Sequence, residues 1–359
     1  MMEPMSAGRT RSYTMRDVAR LARVSVATVS AVANGKQIVT PPLVKRVQEA
    51  MRALDYHPDQ VARSLKVRRT TTIGVVIPDF SSGFFVDVVR GAEDAVRTSG
   101  YSLVLCNSND DVAQEQRHIR LLLSRRVDGI LLASTDLYSV GRNPLRPPTP
   151  LVLFDRVPPQ YRGPAVMINN FEAAYEATQH LIRLGHTRIA FIAGRLEVST
   201  GSERAEGFRQ ALADALLTLR AQYFKRGDFT PDGGYRSGLE LLRLEEPPTA
   251  ILSSSGAMTI GLLRAIQELG VHCPQQVSVI GFDEPAPDTY GFSFGTLLKP
   301  TLTVVAQPGY QMGQRAAQML LEMLSEEKDG GPHDWEKVIT LKAEIRIRHS
   351  ATRPEAWSA

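Results

Sequence analysis

Near the N terminus, apolar residues recur every three or four positions in short stretches that polar residues separate. The first apolar stripe has the i, i+3, i+4, i+7 spacing of one helix face and consists of Met15, Val18, Ala19 and Ala22. Thr14 has a side chain that suits a helix N-cap, and Asp17 places an acid at the positive end of that helix. The pattern therefore predicts a short helix that begins after Thr14.

A second short helix is predicted after a tight connection at Arg23 and Val24. Ser25 can cap this helix. Its inward face consists of Val29, Val32 and Ala33. Two short helices, a turn and a capping serine predict a helix-turn-helix, whose second helix lies in the major groove of DNA. The alternative is a pair of small helices packed for stability alone, which has the same length and periodicity.

A third helix is predicted to begin at Thr40 and Pro41, which suit the N-cap and the first helical position. Its apolar stripe consists of Val44, Val47, Met51 and Leu54. With this helix ending at residue 55, residues 13–57 are predicted to form a compact three-helix head. Residues 59–66 can form only two turns of helix, too short to be stable alone. We therefore expect residues 58–71 to be a hinge that folds when DNA or a partner chain holds it.

From residue 72 onward, short β-branched runs alternate with helical patterns. The predicted strands are 72–78, 101–106, 129–133, 151–154, 188–193, 221–225, 250–252 and 277–280. The predicted helices are 85–99, 113–125, 172–184, 202–215, 233–242 and 258–269. This alternation predicts an α/β body of parallel sheets with right-handed crossovers. Because the alternation restarts near residue 170, we expect two similar lobes with a ligand-binding cleft between them.

Composition and cysteine usage point to a protein that does not meet a membrane. The chain is 43% hydrophobic, and it has no apolar run of the ~18 residues that a membrane helix needs. The N-terminal segment lacks the apolar core of a secretory signal, and we expect residues 1–12 to be a disordered tail. Cys106 and Cys273 are the only cysteines, too few for a disulfide framework. We therefore expect a cytoplasmic protein.

Charge is distributed unevenly along the chain. The net charge is +4, but residues 1–70 hold 13 Lys and Arg against five Asp and Glu, whereas the remainder holds 29 against 33. A basic head on a mildly acidic body suggests that the head meets a polyanion and the body does not. A solvated N-terminal tail explains Arg9 and Arg11 equally well, but it does not explain the bases inside the periodic helices.

Short sequence motifs, in order and at matching separations, resemble those of the LacI/GalR family of bacterial transcription regulators. In the head they are DVA at 17–19, VS at 24–25, TVS at 28–30, NG at 34–35, and VARSLK at 61–66, which is the hinge of the family's purine repressor. In the body they are IGVVIPD at 73–79, RVDGILL at 126–132, FDR at 154–156, LGH at 184–186 and VSVIGFD at 277–283. The resemblance extends from residue 13 to about residue 349.

The resemblance implies a body of two Rossmann-like lobes, similar to periplasmic sugar-binding proteins and crossed by three strands. It implies that residues 72–169 and 301–329 form the first lobe. Residues 170–300 and 335–349 would form the second lobe, followed by a tail at 350–359. The segment at 291–299 is longer than the family's common pattern and lies beside the expected cleft.

The resemblance also implies how the head meets DNA. Backbone phosphates would be bound by Ser25, Thr28, Ser30, Asn34 and Tyr56. Base edges would be faced by Val26, Ala27 and Ala31, and Leu65 would be an apolar wedge in the minor groove. Further candidates for the interface are Thr14, Arg23 and Ala62. Many relatives carry Arg where Ala31 stands, and an arginine forks onto guanine whereas alanine can only touch a thymine methyl. Leu65 is otherwise an exposed linker residue.

For the cleft, the resemblance implies eight effector-binding residues: Phe84, Phe85, Asp155, Arg156, Arg204, Phe229, Ser255 and Asp283. Arginine and aspartate supply donors and acceptors for hydroxyls or a carboxylate, and aromatic faces cover a ring. Two alternatives remain open, because the Phe84 and Phe85 pair can be ordinary core and Arg204 can form a structural ion pair with Asp283. An acid of the family pattern is absent at Gly256, which favours a sugar or sugar acid over a purine.

Three function classes compete at this point. The favoured one is a dimeric, effector-controlled DNA-binding repressor, without metal ion or cofactor, that binds a pseudo-palindromic operator. A homodimer is expected because no heptad pattern follows residue 348. The second class is a soluble sugar-binding protein of transport type. The third is an enzyme, which is disfavoured because the chain has no GxGxxG after a strand, GxxxxGK[ST], GxSxG or HExxH motif.

Overall fold

The computed structural model describes residues 13–33, 39–56, 69–135, 149–284, 294–326 and 337–354. The chain divides into two compact units that meet at Thr70 and Thr71, at the predicted end of the hinge. Some predictions lie outside the described residues. They are the tail at 1–12, most of the hinge, Asn34, Ala62, Leu65 and the lengthened segment up to residue 293.

Three short helices form the head, as the apolar stripes predict. They are α1 (Met15–Ala22), α2 (Val26–Ala33) and α3 (Pro41–Ala53). Each helix contributes one fully buried valine to a shared core, namely Val18, Val29 and Val47. The core is small, and a cluster of this size holds three helices together because each one buries a single apolar face.

Local hydrogen bonds set the boundaries of α1 and α2. The Thr14 backbone N–H and hydroxyl both donate to the Asp17 carboxylate, at 2.9 and 2.8 Å, and hold the first turn of α1. Arg23 ends α1 in the left-handed conformation, with φ at 51°. The Thr28 N–H then donates to Ser25 Oγ at 3.0 Å, so the predicted serine cap of α2 is confirmed.

The first sheet of the body is entirely parallel. Its strands are β1 (Thr72–Ile77), β2 (Ser102–Asn107), β3 (Gly129–Leu132), β4 (Leu151–Phe154), β5 (Ala165–Ile168) and β11 (Val338–Leu341). Their order is β11-β5-β4-β3-β1-β2, which makes β2 an edge strand. The helices of this lobe are α4 (Gly83–Thr98), α5 (Val112–Ser124) and α11 (Gly309–Glu326).

The second sheet also has six strands, of which one is antiparallel to its neighbour. Its strands are β6 (Ile189–Ala193), β7 (Phe224–Arg226), β8 (Ala250–Ser253), β9 (Ser278–Phe282), β10 (Thr303–Ala306) and β12 (Glu344–Arg346). Their order is β12-β10-β9-β8-β6-β7, and β12 runs antiparallel to β10. The helices of this lobe are α6 (Asn170–Arg183), α7 (Ser199–Asp214), α8 (Pro231–Leu242), α9 (Gly256–Glu268) and the short α10 (Phe294–Leu297).

Sheet membership corrects the predicted division into lobes. β10 pairs with β9 in the second sheet, although residues 301–329 were expected in the first lobe. β11 pairs with β5 in the first sheet, although residues 335–349 were expected in the second lobe. Within these two late segments, α11 and β12 lie in the predicted lobes, and the earlier segments, 72–169 and 170–300, supply the first and second sheets as predicted. The chain therefore crosses between lobes after β5, after β10 and after β11, because each late strand completes the sheet whose edge is open to it.

Close backbone approach explains how α11 returns to the first lobe. It packs along α4, and a Cβ at Gly91 would meet the Tyr310 carbonyl oxygen at 2.0 Å, while one at Gly313 would meet the Val88 carbonyl oxygen at 1.8 Å. Two glycines facing each other's helix backbone therefore permit an interhelical distance that side chains would prevent. Among the described residues, no helix is long and apolar enough to cross a bilayer.

Candidate functional site

The outer surface of α2 carries the residues predicted to face DNA. Ser25, Val26 and Ala27 are exposed, and Thr28 and Ser30 are half-buried. The exposed fraction of Val26 is 42%, which is large for an apolar residue in a head with so little core. The Ser25 and Thr28 hydroxyls lie 2.8 Å apart, so two of the predicted phosphate-binding groups form one polar cluster at the N-terminal end of α2. A helix N-terminus of this kind favours an anion.

Ala31 departs from the prediction that it faces base edges. Its exposed fraction is 8%, and it counts among the buried residues of the head. A methyl group that is already covered has little surface to offer to a thymine methyl. Ala31 follows Ala27 by four residues, which predicts the same face, but Ala27 is exposed and Ala31 is not.

Basic side chains surround the exposed part of the head. The exposed bases among its described residues are Arg16, Arg20, Arg23, Lys45, Arg46 and Arg52. Arg46 donates to the Arg23 carbonyl at 3.3 Å and so links α3 to the turn between α1 and α2. Thr14 is also exposed, and Tyr56 is half-buried against the head core. Exposed bases in this number give the head the electrostatic character of a domain that meets phosphates.

All eight predicted effector residues line a single cavity in the body. The cavity has a volume of about 270 Å³ and lies between the two lobes, beyond the carboxyl ends of the strands. Phe84, Phe85, Asp155 and Arg156 come from the first lobe. The second lobe contributes Arg204, Phe229, Ser255 and Asp283. The position of each residue in a ligand contact remains a prediction, but their convergence on one cleft is a property of the fold.

The aromatic residues serve the core and the cavity together. Phe84 and Phe85 pack edge to face with their ring centroids 5.1 Å apart, and both belong to the main core as well as to the cavity wall. Phe229 lies opposite them with φ at 66°, and its ring would collide with a Cβ at Gly194. The Phe pair therefore belongs to the core, as the alternative has it, but it also forms part of the cavity wall.

Arg204 is buried and held by three neutral acceptors. Its Nε donates to Asn170 Oδ1 at 2.8 Å and its Nη1 to the Ser254 carbonyl at 2.7 Å. Its Nη2 donates to Gln307 Oε1 at 3.1 Å. The guanidinium stacks over the Phe282 ring at 4.4 Å. Because these contacts use three of the five N–H donors of a guanidinium, two remain for a ligand in the cavity.

Gln307 bridges Arg204 to Asp283, so the two do not form the direct ion pair considered as an alternative. Its amide group donates to Asp283 Oδ1 while its oxygen accepts from Arg204. The other Asp283 oxygen accepts the Gly256 N–H at 2.8 Å. Sequence reasoning missed Gln307, because it follows β10, a strand that was not predicted and whose sheet was assigned wrongly.

Asp155 is the most perturbed carboxyl of the cleft. It is buried, with φ at 60°, and burial raises its pKa from 3.8 to about 6, against the opposing effect of Arg156 and Arg204. Near it, the Val157 N–H donates to Ser199 Oγ at 3.1 Å, a hydrogen bond from the first lobe to the second. Asp155 thus lies where the lobes meet, in a place where a proton is held more tightly than usual.

The Nε–H group of Arg156 makes no hydrogen bond to the described residues. Two of its nitrogens bind the Asp110 carboxylate, one of them at 3.4 Å, and its guanidinium lies 5.3 Å from the Phe229 ring centroid. Its Nε is buried, with no hydrogen-bond partner among the described residues. An unsatisfied buried N–H costs free energy, so an acceptor on a bound molecule would relieve this cost.

Several further residues line the cavity that were not among the predicted effector residues. They are Asp79, Ser82, Asn109, Asp110, Thr200, Asp228, Thr230 and Gln307. Ser255, which was predicted, also caps α9 by accepting the Met258 N–H at 3.3 Å. Among the described residues, five aspartates and two arginines line the cavity, so its wall has an excess of negative charge. No cluster of three His, Cys, Asp or Glu suited to a metal ion occurs in the described part of the chain.

Two family models match the chain. Residues 14–59 match the model described as bacterial regulatory proteins, lacI family. Residues 70–345 match the model described as periplasmic binding proteins and sugar binding domain of LacI family. The first match covers the helix-turn-helix and the second covers both sheets with the cavity between them.

Similar proteins of known identity agree with these matches. The HTH-type transcriptional repressor PurR of Aliivibrio salmonicida (strain LFI1238) is 34% identical over 339 residues, 94% of this chain and 98% of its own. The lac repressor dimer bound to operator and the anti-inducer ONPF is 25% identical, with a TM-score of 0.81 over 95% of this chain and 100% of that one. A LacI family regulator from Enterococcus faecium with bound ribose is 27% identical, with a TM-score of 0.67 over 79% of this chain and 100% of that one.

Proposed function

Because the chain belongs to the lacI family of bacterial regulatory proteins, we propose that a neutral sugar in its cleft controls how a homodimer of it holds a DNA operator. The family matches over 14–59 and 70–345 make the chain a DNA-binding transcription regulator with an effector-binding domain. The transport-type alternative leaves the match over 14–59 without a role. The relatives are named as regulators, not as enzymes.

The lining of the cavity is the observation that carries the sugar proposal. A sugar ring has apolar faces and a rim of hydroxyl groups that both donate and accept hydrogen bonds. Phe84, Phe85 and Phe229 offer the apolar faces, while Asp155 accepts and the free Nε of Arg156 donates. The cavity volume of about 270 Å³ is slightly below the ~300–1,000 Å³ that is typical of ligand pockets, and it favours a ligand with a single ring.

The charge of the cavity wall favours a neutral sugar over a sugar acid, the two ligands that the sequence predicts. Five aspartates against two arginines line the described cavity wall, so a carboxylate or phosphate on the ligand would meet net repulsion. The Enterococcus faecium regulator was solved with ribose, an uncharged sugar, in the same family fold. These observations favour an uncharged pentose or hexose over a sugar acid, and they leave a purine as the competing ligand to be tested.

A calorimetric titration panel tests the ligand class. The full-length protein is titrated with D-ribose, D-glucose and D-galactose, with the corresponding aldonates and phosphates, and with hypoxanthine and guanine. We expect one neutral sugar to bind and to raise the melting temperature. Binding of a purine with no response to any sugar would contradict the proposal. An Asp155→Asn variant serves as a control for binding in the cleft, since it should weaken the sugar that binds.

The exposed edge of the first sheet supports the homodimer. Among the described strands, β2 pairs with β1 alone, and its Val104 and Leu105 are 37% and 46% exposed. Leu121 on α5 is exposed as well. An unpaired edge strand with apolar side chains is a liability in a monomer and is normally covered. We propose that a second copy covers it, and sedimentation of Leu105→Lys is the test. We expect the wild type to be a dimer and the variant to shift to monomer.

For the head, we propose a repressor that binds inverted half-sites and works in the cytoplasm. Two helix-turn-helix heads on one dimer read a pseudo-palindrome, since one head makes few base contacts. With ~6–10 phosphate contacts, affinity should fall ~10³–10⁵-fold between 50 and 200 mM salt. Footprinting of selected duplexes checks the symmetry. Stoichiometric binding of a monomer to an asymmetric site, or an affinity that salt does not change, would count against this proposal.

A further inference from the structure

One carboxylate in the cleft binds two arginines that come from opposite lobes. Asp110, after β2, receives two nitrogens of Arg156 from the first lobe. Arg195, after β6 in the second lobe, lies with its Nη1 3.5 Å from Asp110 Oδ1 and donates to the Asp110 backbone carbonyl at 3.0 Å. Asn109 and Asp110 both adopt left-handed backbone conformations, with φ at 51° and 56°. The loop is therefore bent so that this side chain faces the cavity.

We propose that the carboxylate of Asp110 makes the cleft select uncharged ligands, because it takes the place that an anionic group of a ligand would occupy. This inference rests on the proposed effector site and assigns its specificity to one residue. A ligand carboxylate or phosphate would bind by pairing with a guanidinium, which is the strongest recognition that such groups obtain. Asp110 already pairs with Arg156, which lines the cavity, and with Arg195 from the second lobe. An anionic ligand would have to displace it.

The surroundings of the two arginines show why Asp110 decides this selectivity. The Arg156 side chain is 5% exposed, and its only other carboxylate contact in the described structure is Asp155, at 3.9 Å. The Arg195 side chain is 27% exposed, and Asp110 is its ion-pair partner. Without Asp110, the buried Arg156 would face the cavity with little compensation, and Arg195 would lose its ion-pair partner. A buried cation without an anion is strongly disfavoured. An anionic ligand would then supply the missing charge.

The remaining arginine of the cleft cannot take over this role. Arg204 already donates to three neutral acceptors. Burial lowers the pKa of its guanidinium, and Asp283, Asp155 and Glu203 oppose this effect by stabilising the charged form. Its two free N–H donors suit hydroxyl groups. The preference for neutral over anionic ligands is therefore set at the Asp110 side of the cavity. There, the charge of one side chain decides whether an anionic ligand can pair with Arg156.

The test is the ratio of affinities for matched neutral and anionic ligands in Asp110→Asn and in the wild type. Asparagine keeps the shape and removes the charge. The probes are D-ribose with D-ribose 5-phosphate, and D-glucose with D-glucuronate, titrated into the full-length protein. We expect the wild type to prefer the neutral member of a pair by about 100-fold, and the variant to lose at least about tenfold of this preference, mainly by gaining affinity for the anion.

Asp111→Asn is the matched control. Asp111 is exposed, lies outside the cavity and caps α5 by accepting the Gln114 N–H at 3.0 Å, which asparagine can also do. This variant removes the same charge one residue away. An equal change of preference in both variants would mean that general charge, and not Asp110, sets specificity, and would overturn the inference.

A second variant keeps the inference testable if Asp110→Asn does not fold. Arg195→Gln leaves Asp110 with one arginine fewer, so the cleft becomes more negative, and discrimination against the anion should increase by several-fold. A wild type that binds the anion as well as the neutral sugar, or an Arg195→Gln variant that binds the anion better, would overturn this inference alone. A wild type that binds no sugar of either kind would overturn the proposed function with it.

Discussion

At the scale of single residues, several side chains of the cleft are positioned by an unusual backbone conformation. Asp155 and Asp283 follow β4 and β9 with φ at 60° and 64°, and Phe229 follows β7 with φ at 66°. Residues other than glycine rarely adopt such angles, and they persist where the surroundings hold them. The left-handed corners at the strand ends therefore turn functional side chains into the cavity.

The raised pKa of Asp155 predicts a pH-dependent contribution to stability. Its pKa is about 6 in the folded protein against an ordinary 3.8, so the folded state holds this proton more tightly. The contribution of Asp155 to stability is complete below pH ~4 and is lost as the pH rises through ~6. Asp155→Asn should therefore be more stable than the wild type at pH 7, by roughly 2–3 kcal/mol, and the difference should vanish near pH 4.

Thermal unfolding of both proteins between pH 4 and pH 7.5 measures this difference. Asp232→Asn on α8 is the control, because Asp232 is exposed and its replacement should give no trend of this size. A stability difference between Asp155→Asn and the wild type that stays constant across this range would show that burial does not perturb Asp155.

Arg23 combines strain with charge. It is exposed, and at φ 51° it occupies a conformation that glycine adopts at less cost. We expect Arg23→Gly to stabilise the head by about 0.5–1 kcal/mol and to reduce the slope of log affinity against log salt by about 1. Hydrogen exchange of the α1 and α2 amides measures the first effect, and titrations of operator binding measure the second.

Arg16→Gln separates the two effects of Arg23. Arg16 is an exposed base within α1, so this change removes a charge without relieving any backbone strain. A head that Arg23→Gly leaves no more stable than Arg16→Gln does would argue against strain at the turn. An unchanged salt slope would remove Arg23 from the proposed DNA interface.

At the scale of elements, α2 offers an apolar surface to DNA. Val26 and Ala27 are exposed on it, whereas Ala31 is buried, so the surface that can reach bases is the N-terminal half of the helix. Exposed apolar groups recognise thymine methyls but cannot form the paired hydrogen bonds that identify guanine. We therefore expect the operator half-site to be chosen largely by thymine contacts and by DNA shape.

Ala27→Arg should give the head a preference for guanine at one position of each half-site. An arginine at this exposed position can form two hydrogen bonds to guanine, worth ~1–3 kcal/mol against other bases. Selection of bound duplexes from a random pool shows the preference. Ala53→Arg, at an exposed position at the end of α3, is the control and should strengthen binding to all sequences alike. An unchanged selected motif in Ala27→Arg would place Ala27 away from the groove.

At the scale of the whole molecule, the two lobes of the body share a cavity and three crossings. Gln307 lies at the second crossing, directly after β10, and holds Arg204 and Asp283 together. The Val157 and Ser199 hydrogen bond and the contact of Arg195 with Asp110 join the lobes at other points of the cleft. A ligand in this cavity touches both lobes, so its affinity depends on how far they are closed.

Arg204→Ala and Asp283→Ala should therefore abolish the response of operator affinity to ligand. If the ligand is an inducer, operator binding without ligand should remain nearly intact. If the ligand is a co-repressor, the same variants should fail to bind operator. By linkage, DNA must change ligand affinity by the same factor as ligand changes DNA affinity, so titrations in both directions check each other. Normal responses in both variants would make this pair structural and place the effector elsewhere.

The sequence by itself determined most of the local secondary structure and the identity of eight residues that line the cleft. The three helices of the head and the serine cap at Ser25 are where their periodicity predicts. So is the alternation of strands and helices in the body as far as β9, apart from β5, which was not predicted. Short-range hydrogen bonds and one-sided burial produce these features, and both leave a repeating pattern in the residues. The eight effector residues also meet in one cavity, because they lie in the loops that follow strands or in the first turns of helices at the cleft.

Only the tertiary structure decided which sheet each late strand joins and which loop residues reach the cavity. β10, β11 and β12 are three or four residues long, and a strand of this length carries no sign of its partner. Gln307 enters the cleft at a crossing between the lobes and Asp110 enters it at a bend after β2, while Ala31 is buried although its spacing predicts exposure. The free energies that choose these arrangements come from contacts between residues far apart in the chain, which a local pattern does not encode.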